Sequence, residues 1–173
     1  MSDPTPAEVF EQIGLMLCQL QGAEEAMSLC LTALRCEFAG TVEELTSLDE
    51  SHRKATLGQL IKKMSGAVSI APDFAVVLDR FLTKRNMFVH RRFLHADFHP
   101  VLSPEARRNA IQFIEDLRID YLVVKGVFAK YICEIGALID SEFAVQAPDL
   151  LSLCDDLYGG APVNPLNVTF KKL

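Results

Sequence analysis

Apolar residues recur at helical spacing over four long segments of this chain, and this periodicity constrains the fold more than any other feature. The predicted helices cover about 6–38, 53–64, 72–95 and 103–145. The acidic stretch 41–52 lacks such a seam, and we interpret it as a connection that could hold one turn of helix. The sequence therefore predicts an all-α, up-and-down helical bundle of four main helices.

After the fourth helix, the sequence predicts a short helix over 149–158 and an extended tail that contains glycine and proline. The chain has 173 residues, 50% of them hydrophobic, which is enough for one hydrophobic core. We therefore predict a helical-bundle domain over 1–145, with 146–173 packed on the same domain as the short helix and tail.

No stretch approaches the roughly 20 consecutive apolar residues that a transmembrane helix requires, so no membrane association is predicted. The first residues show no basic region followed by an apolar run, so they do not resemble a secretory signal, and we predict a cytoplasmic location. The cysteines are odd in number and form no C-x-x-C pair, which favours reduced, buried thiols over disulfides. They are Cys18, Cys30, Cys36, Cys133 and Cys154.

The third predicted helix carries polar residues where its apolar face should continue. An apolar stripe runs from Phe74 to Phe81 in steps of three and four, and the same steps lead to Arg85 and then to Phe88. Asn86 interrupts the neighbouring row. Burying such groups costs free energy unless they are paired, so their positions indicate a purpose.

Residues 85–90 read Arg-Asn-Met-Phe-Val-His. This pattern, on the third helix of a small bundle, resembles the Arg-x4-6-His signature of the HEPN superfamily, many of whose members are metal-independent endoribonucleases. The resemblance covers about 7–145 in architecture and 85–90 in chemistry. It implies an RNA-cleaving toxin or defence component that needs no metal or other cofactor. Many family toxins carry tyrosine two residues after the histidine, whereas this chain has Arg92, so regulation through that tyrosine is not expected.

The resemblance implies catalytic roles for Arg85, Asn86 and His90. RNA cleavage needs a group that takes the proton from a ribose 2'-hydroxyl, and His90 is suited to this because imidazole titrates near neutral pH. Arg85 offers the phosphate a planar, permanently charged fork. The amide of Asn86 could orient either the histidine or the phosphate.

The distribution of charge predicts where RNA would bind. A net charge of −6 argues against a protein that coats nucleic acid, because such binding depends on neutralising many phosphates. The motif is nevertheless surrounded by basic residues, and we predict that Lys84, Arg91 and Arg92 bind RNA phosphates. The alternative for Arg91 and Arg92 is an ordinary solvated helix face.

Residues 85 and 90 are five apart, so on an ideal helix they point about 140° away from each other. One helix is therefore not expected to assemble the site. In the HEPN family two copies of the motif face each other across a two-fold axis, so the resemblance implies a homodimer. It also implies a restraining partner, which would be an antitoxin or a regulatory protein.

Two alternatives to catalysis remain open at this point. In the first, Arg85 pairs with an acidic residue such as Glu115 or Asp116, while His90 hydrogen-bonds to a carbonyl group. In the second, the protein is a non-catalytic helical dimer that binds a protein partner or a nucleotide and acts as a regulator.

A metal site is a further alternative. His90, His95, Asp97 and His99 are all ligand types, and the alternation over 95–99 would place three side chains on one side of an extended segment. Such a set suits zinc or another divalent metal. Metal-activated water would then replace the metal-free mechanism.

Overall fold

The computed structural model describes residues 3–35, 42–66, 68–90, 92–139 and 171–172. Most of these residues lie in α-helices, which confirms the predicted all-α fold. The helices are α1 (Pro6–Arg35), α2 (Val42–Arg53), α3 (Leu57–Ser65), α4 (Pro72–His90) and α5 (Pro104–Ile139). Within the described ranges, none of them combines the length and apolar content that a membrane crossing requires.

The acidic segment after the first helix is itself a helix, so its prediction as a connection was wrong. It forms α2, which has 12 residues and begins with Glu43 and Glu44 in its first turn. Acidic side chains stabilise the positive end of a helix dipole, and α2 packs against α1. Its sparse apolar residues gave no visible seam, although His52 near its end is buried.

The second predicted helix began four residues too early, because a capping box at Thr56 starts α3 at Leu57. The Thr56 hydroxyl accepts a hydrogen bond from the backbone N–H of Gln59 at 3.4 Å. In return, the Gln59 side chain accepts one from the backbone N–H of Thr56 at 2.8 Å. This reciprocal pair fixes the first turn of the helix.

The third helix ends at His90 rather than at residue 95. Two short 3₁₀ turns, Arg92–Leu94 and Ala96–Phe98, follow it. The start of the last helix is confirmed, since the Ser103 hydroxyl accepts a hydrogen bond from the backbone N–H of Ala106 at 3.0 Å. The predicted continuation of this helix to 145 and the predicted short helix over 149–158 lie outside the described residues.

The hydrophobic core lies where α1, α4 and α5 pack together. The rings of Phe74 on α4 and Phe128 on α5 meet edge to face with their centroids 6.2 Å apart. Burial of each large apolar side chain contributes roughly 1.5–3 kcal/mol, so this seam dominates the stability of the bundle. Its most buried large members include Met16, Met27, Leu31, Leu78, Phe81, Ile114 and Leu117.

Residues 171–172 lie beside the connection between α3 and α4. There the backbone of β1 (Val68–Ser69) pairs with that of β2 (Lys171–Lys172) in antiparallel register. Val68 lies opposite Lys172, and Ser69 lies opposite Lys171. The two-residue pair brings residues 171–172 next to the helical bundle.

The described cysteine side chains differ in environment. Cys30 is buried, its thiol donates to the carbonyl of Phe128 at 3.6 Å, and burial raises its pKa far above the ordinary value. Cys18 is exposed, so the prediction of buried packing is wrong there. Cys36, Cys154 and the side chain of Cys133 lie outside the described part.

Candidate functional site

Arg85 interrupts the apolar stripe of α4 because its guanidinium reaches α1. Its Nη2 lies 2.5 Å from Oε1 of Glu24, and the two side chains are 18% and 28% exposed. Its Nη1 donates to Oδ1 of the adjacent Asn86 at 3.2 Å. Its Nε is buried and finds no acceptor within the described ranges. The alternative in which Arg85 pairs with an acidic residue is confirmed, but the partner is Glu24 and not Glu115 or Asp116.

His90 is the last residue of α4 and is exposed. In the described part of the chain its imidazole makes no hydrogen bond. The bond to a carbonyl group that the first alternative to catalysis predicts is therefore not found among the described residues. A histidine in the last turn interacts favourably with the negative end of the helix dipole when it is protonated. Because α4 is continuous from Arg85 to His90, one copy directs the two side chains about 140° apart.

Lys84 belongs to a compact ion cluster that we call the Asp120 cluster, which consists of Arg80, Lys84 and Asp120. The Asp120 side chain is 2% exposed, and its Oδ2 lies 2.8 Å from Nζ of Lys84. The Nε of Arg80 donates to both carboxylate oxygens, at 2.9 and 3.0 Å. Nζ of Lys84 also donates to the carbonyl of Asp116 at 2.9 Å. The charge predicted to bind RNA therefore already has two protein partners.

Burial and hydrogen bonding act in opposite directions on the pKa of Asp120. Desolvation alone raises it, but the hydrogen bonds from Arg80 and Lys84, together with their positive charges, outweigh that effect. The net result is a pKa below the ordinary value of a free aspartate. The Asp120 cluster therefore holds a buried carboxylate in its charged form and ties α4 to α5.

Arg92 stacks on aromatic rings instead of extending into solvent. The centre of its guanidinium lies 3.5 Å from the ring centroid of Phe98 and 4.6 Å from that of Phe113. Such cation–π contacts contribute roughly 0.5–2 kcal/mol, and this one attaches the 3₁₀ turns to α5. Arg91, the other arginine predicted to bind RNA, lies outside the described residues.

The candidate metal ligands do not come together. Among the described residues, no three histidine, cysteine, aspartate or glutamate side chains form a group that could hold a metal ion. Residues 96–98 form a 3₁₀ turn, so the alternation His95, Asp97, His99 does not lie on the extended backbone that the metal hypothesis requires. His99 instead accepts a hydrogen bond through Nδ1 from the backbone N–H of Val101 at 3.4 Å.

A small cavity beside the Glu24–Arg85 pair was not predicted from the sequence. We call it the Glu24 pocket, and it has a volume of about 240 Å³. Its walls are formed by polar residues of α1 and by residues on either side of the α2–α3 connection. They are Gln21, Glu24, Glu25, Ser28, His52, Ala55 and Leu60.

The interior of the Glu24 pocket contains one unsatisfied hydroxyl. Ser28 is 3% exposed, and its Oγ is buried without a hydrogen-bond partner in the described part. The hydroxyl of Thr32 donates to the carbonyl of Ser28 at 3.1 Å. The same hydroxyl lies 3.0 Å from Nδ1 of His52, so a hydrogen bond joins Thr32 to His52.

A second cavity, which we call the lysine pocket, adjoins the first. Its volume is about 530 Å³, and Ala55 lies in the walls of both cavities. The other lining residues are Ser51, Lys54, Gln59, Lys62, Lys63 and Gly66. The sequence signal was the pair Lys62–Lys63, which the helix dipole of α3 also explains. The position of the lysine pocket beside Ala55 depends on α2, and the sequence did not reveal that helix.

Comparison of the chain with models of protein families, with curated proteins and with solved structures found no match.

Proposed function

We propose that this protein is a HEPN-like, metal-independent endoribonuclease that acts in the cytoplasm as a toxin or defence component. One observation carries the proposal. Arg85, Asn86 and His90 lie on one continuous helix of an all-α bundle, with a semi-buried arginine and an exposed histidine at the helix end. A half-buried guanidinium on an apolar stripe, with a buried Nε that is unsatisfied in the described part, costs free energy and supports a role beyond packing.

In the proposed reaction, His90 takes the proton of a ribose 2'-hydroxyl, and the 2'-oxygen attacks the adjacent phosphorus. The bond from phosphorus to the 5'-oxygen breaks, and that oxygen receives a proton from the equivalent histidine of a second copy. The products are a 2',3'-cyclic phosphate and a 5'-hydroxyl. Arg85 stabilises the charge that develops on the phosphate, and a bound phosphate competes with Glu24 for the guanidinium.

The proposed enzyme is a homodimer, because the Arg85 and His90 side chains of one copy diverge by about 140° on the helix. Exposed apolar side chains support this arrangement, since they lie beside the histidine on α4 and just after it. Met87 is 37% exposed, Val89 is 41% exposed and Leu94 is 82% exposed. A two-fold contact along the end of α4 would cover them and would place two copies of the motif in one cleft. The proposed restraint is an antitoxin or regulatory protein that covers this cleft.

The direct test is incubation of the purified protein with total RNA and labelled tRNA in the presence of EDTA. Wild type should produce 2',3'-cyclic phosphate ends, and His90→Ala should reduce the rate by about 10² to 10⁴-fold. The matched control is His95→Ala, which removes an exposed histidine a few residues away and should leave the rate unchanged. Cleavage that EDTA abolishes, or that His90→Ala retains, would overturn the proposal.

The second candidate function is a non-catalytic helical dimer that binds a protein partner or a nucleotide as a regulator. It is favoured by the ion pair between Arg85 and Glu24, which gives the arginine a structural role. On this hypothesis wild type cleaves no RNA, and Arg85→Ala lowers only the stability of the bundle. Measuring RNA cleavage and the free energy of unfolding for the same variant separates the two functions.

A further inference from the structure

Ser28 places a buried polar group in the wall of the Glu24 pocket. The Ser28 hydroxyl is buried in its wall and has no partner in the described residues, although buried hydroxyl groups are nearly always hydrogen-bonded. His52 cannot turn toward it freely, because its Nδ1 is held by Thr32. A polar group of a ligand would supply the missing hydrogen bond.

The pocket is rich in acceptors. Glu24 uses Oε1 for Arg85, while its Oε2 accepts no hydrogen bond from the described residues. Its ligand should therefore donate N–H groups to a carboxylate and accept one hydrogen bond from the serine hydroxyl. At about 240 Å³ the cavity lies below the usual range for drug-sized ligands, so it suits one planar base and not a larger molecule.

The adjoining lysine pocket has the opposite charge. Lys62 and Lys63 make no ion pair among the described residues, and Lys54 makes an exposed pair with Glu50 at 3.5 Å. Exposed pairs of this kind are weak, so three ammonium groups remain effective around the cavity. In a chain with a net charge of −6, such a concentration of lysine suits a phosphate group.

We propose that the two pockets together bind one guanine nucleotide, with the base in the Glu24 pocket and a phosphate in the lysine pocket. Guanine presents two adjacent N–H donors on its Watson–Crick edge, which match a carboxylate, and a carbonyl oxygen that can accept from Ser28. Ala55, shared by both walls, lies where the ribose would connect base and phosphate. The inference rests on the proposed function in one respect: for a ribonuclease, the guanine belongs to a guanosine within single-stranded RNA. A free guanine nucleotide has the same chemistry.

Isothermal titration calorimetry of the full chain with guanosine 3'-monophosphate, uridine 3'-monophosphate and guanosine tests the proposal. The guanine nucleotide should bind most tightly, and guanosine should bind more weakly because it lacks the phosphate. Replacing Ser28 by alanine should weaken binding of the guanine nucleotide about tenfold, while Ser69→Ala should not alter it. Equal affinity for the uridine nucleotide, or no loss in Ser28→Ala, would overturn the inference.

The phosphate half of the site has its own variants. The double substitution Lys62→Ala/Lys63→Ala should reduce binding of the guanine nucleotide to the level of guanosine and leave guanosine binding unchanged. Arg108→Ala, which removes an exposed cation elsewhere, is the matched control. Substitution of the buried Ser28 can disturb folding, so Gln21→Ala, at an exposed residue of the pocket wall, provides a second test. Its affinity for the guanine nucleotide should fall about threefold. Unchanged affinity in the double variant, or in Gln21→Ala, would overturn the proposed placement.

RNA cleavage assays distinguish this inference from the proposed function. If RNA is cut but no guanine nucleotide binds, the inference fails and the nuclease stands. If the guanine nucleotide binds but no RNA is cut, the inference stands with a free nucleotide as its ligand. If wild type cuts preferentially at guanosine and Ser28→Ala loses that preference, RNA is the source.

Discussion

Two ion pairs that begin one residue apart on α4 have different surroundings. Lys84 points to α5, where it and Arg80 saturate an aspartate whose side chain is 2% exposed. Arg85 points to α1, where it meets a glutamate that is 28% exposed and keeps a buried Nε unsatisfied in the described part. In the Asp120 cluster both oxygens of the buried carboxylate are hydrogen-bonded, whereas the Glu24–Arg85 pair has spare hydrogen-bonding capacity next to a cavity. Among the described residues Arg92 and Arg118 also have a buried, unsatisfied Nε, so the candidate site is distinguished by the motif residues together with the adjoining Glu24 pocket.

The largest expected difference between the two regions concerns RNA cleavage. On the proposed mechanism, Arg85→Ala should lower the rate about 10² to 10³-fold, because it removes the cation assigned to the developing phosphate charge. Arg80→Ala removes the same residue type from the same helix and should leave the rate within about twofold. Initial rates on labelled tRNA measure both. Equal losses in the two variants would mean that arginine on α4 supports the fold rather than the chemistry.

The second difference concerns stability. Asp120→Ala should lower the free energy of unfolding by about 3 kcal/mol, because it removes the charge-assisted hydrogen bonds from both Arg80 and Lys84. Glu24→Ala should cost about 1–2 kcal/mol, since the lost hydrogen bond joins two partly exposed charged groups. Urea denaturation followed by circular dichroism gives both values. A larger cost for Glu24→Ala would reverse the comparison and favour a structural role for Arg85.

The dependence of the free energy of unfolding on pH tests the charge of Asp120. The pKa of Asp120 in the folded state lies below its ordinary value of 3.8, so its charged form stabilises the fold fully above that pH. As the pH falls below about 4 and then through the lower folded-state pKa, this contribution is lost. The stability difference between wild type and Asp120→Asn should therefore shrink between pH 5 and pH 3. A difference that stays constant or grows would contradict the assigned charge.

The smallest expected effect concerns the salt dependence of RNA binding. Lys84→Ala should hardly change the slope of log affinity against log salt, because Asp120 and a carbonyl group already engage its ammonium. Lys62→Ala should reduce the slope by roughly 0.7, the value for one phosphate contact with a single strand. Fluorescence anisotropy of a labelled oligonucleotide with His90→Ala protein avoids cleavage. The opposite ranking would restore Lys84 as an RNA contact.

The helices that carry the core could be predicted from the sequence because their apolar periodicity is strong. The stripe from Phe74 to Phe81 is buried, and the capping serine Ser103 marked the start of α5 correctly. Periodicity failed for α2, whose stability comes from acidic residues at its first turn and from packing against α1. The acidic residues are visible in the sequence, but the packing against α1, which supplies most of the stability of a short helix, is not.

The motif could be selected from the sequence, but its partners could not. Arg85 and Glu24 are 61 positions apart, and several acidic residues were equally plausible partners. Likewise, the Glu24 pocket joins Ser28 on α1 to His52 on a helix that the sequence did not reveal. Long-range pairing of charges depends on helix packing angles, which a single sequence does not specify.

The central claim, that two copies of the motif build one ribonuclease site, is tested most directly by subunit mixing. Wild type and His90→Ala protein should be unfolded together in equal amounts and refolded, so that about a quarter of the dimers carry two intact histidines. Because the proposed reaction uses the histidine of both copies, cleavage should fall to about a quarter of the rate of wild type at the same total protein concentration. Retention of about half of that rate would mean that each copy acts alone and would contradict a site shared between subunits.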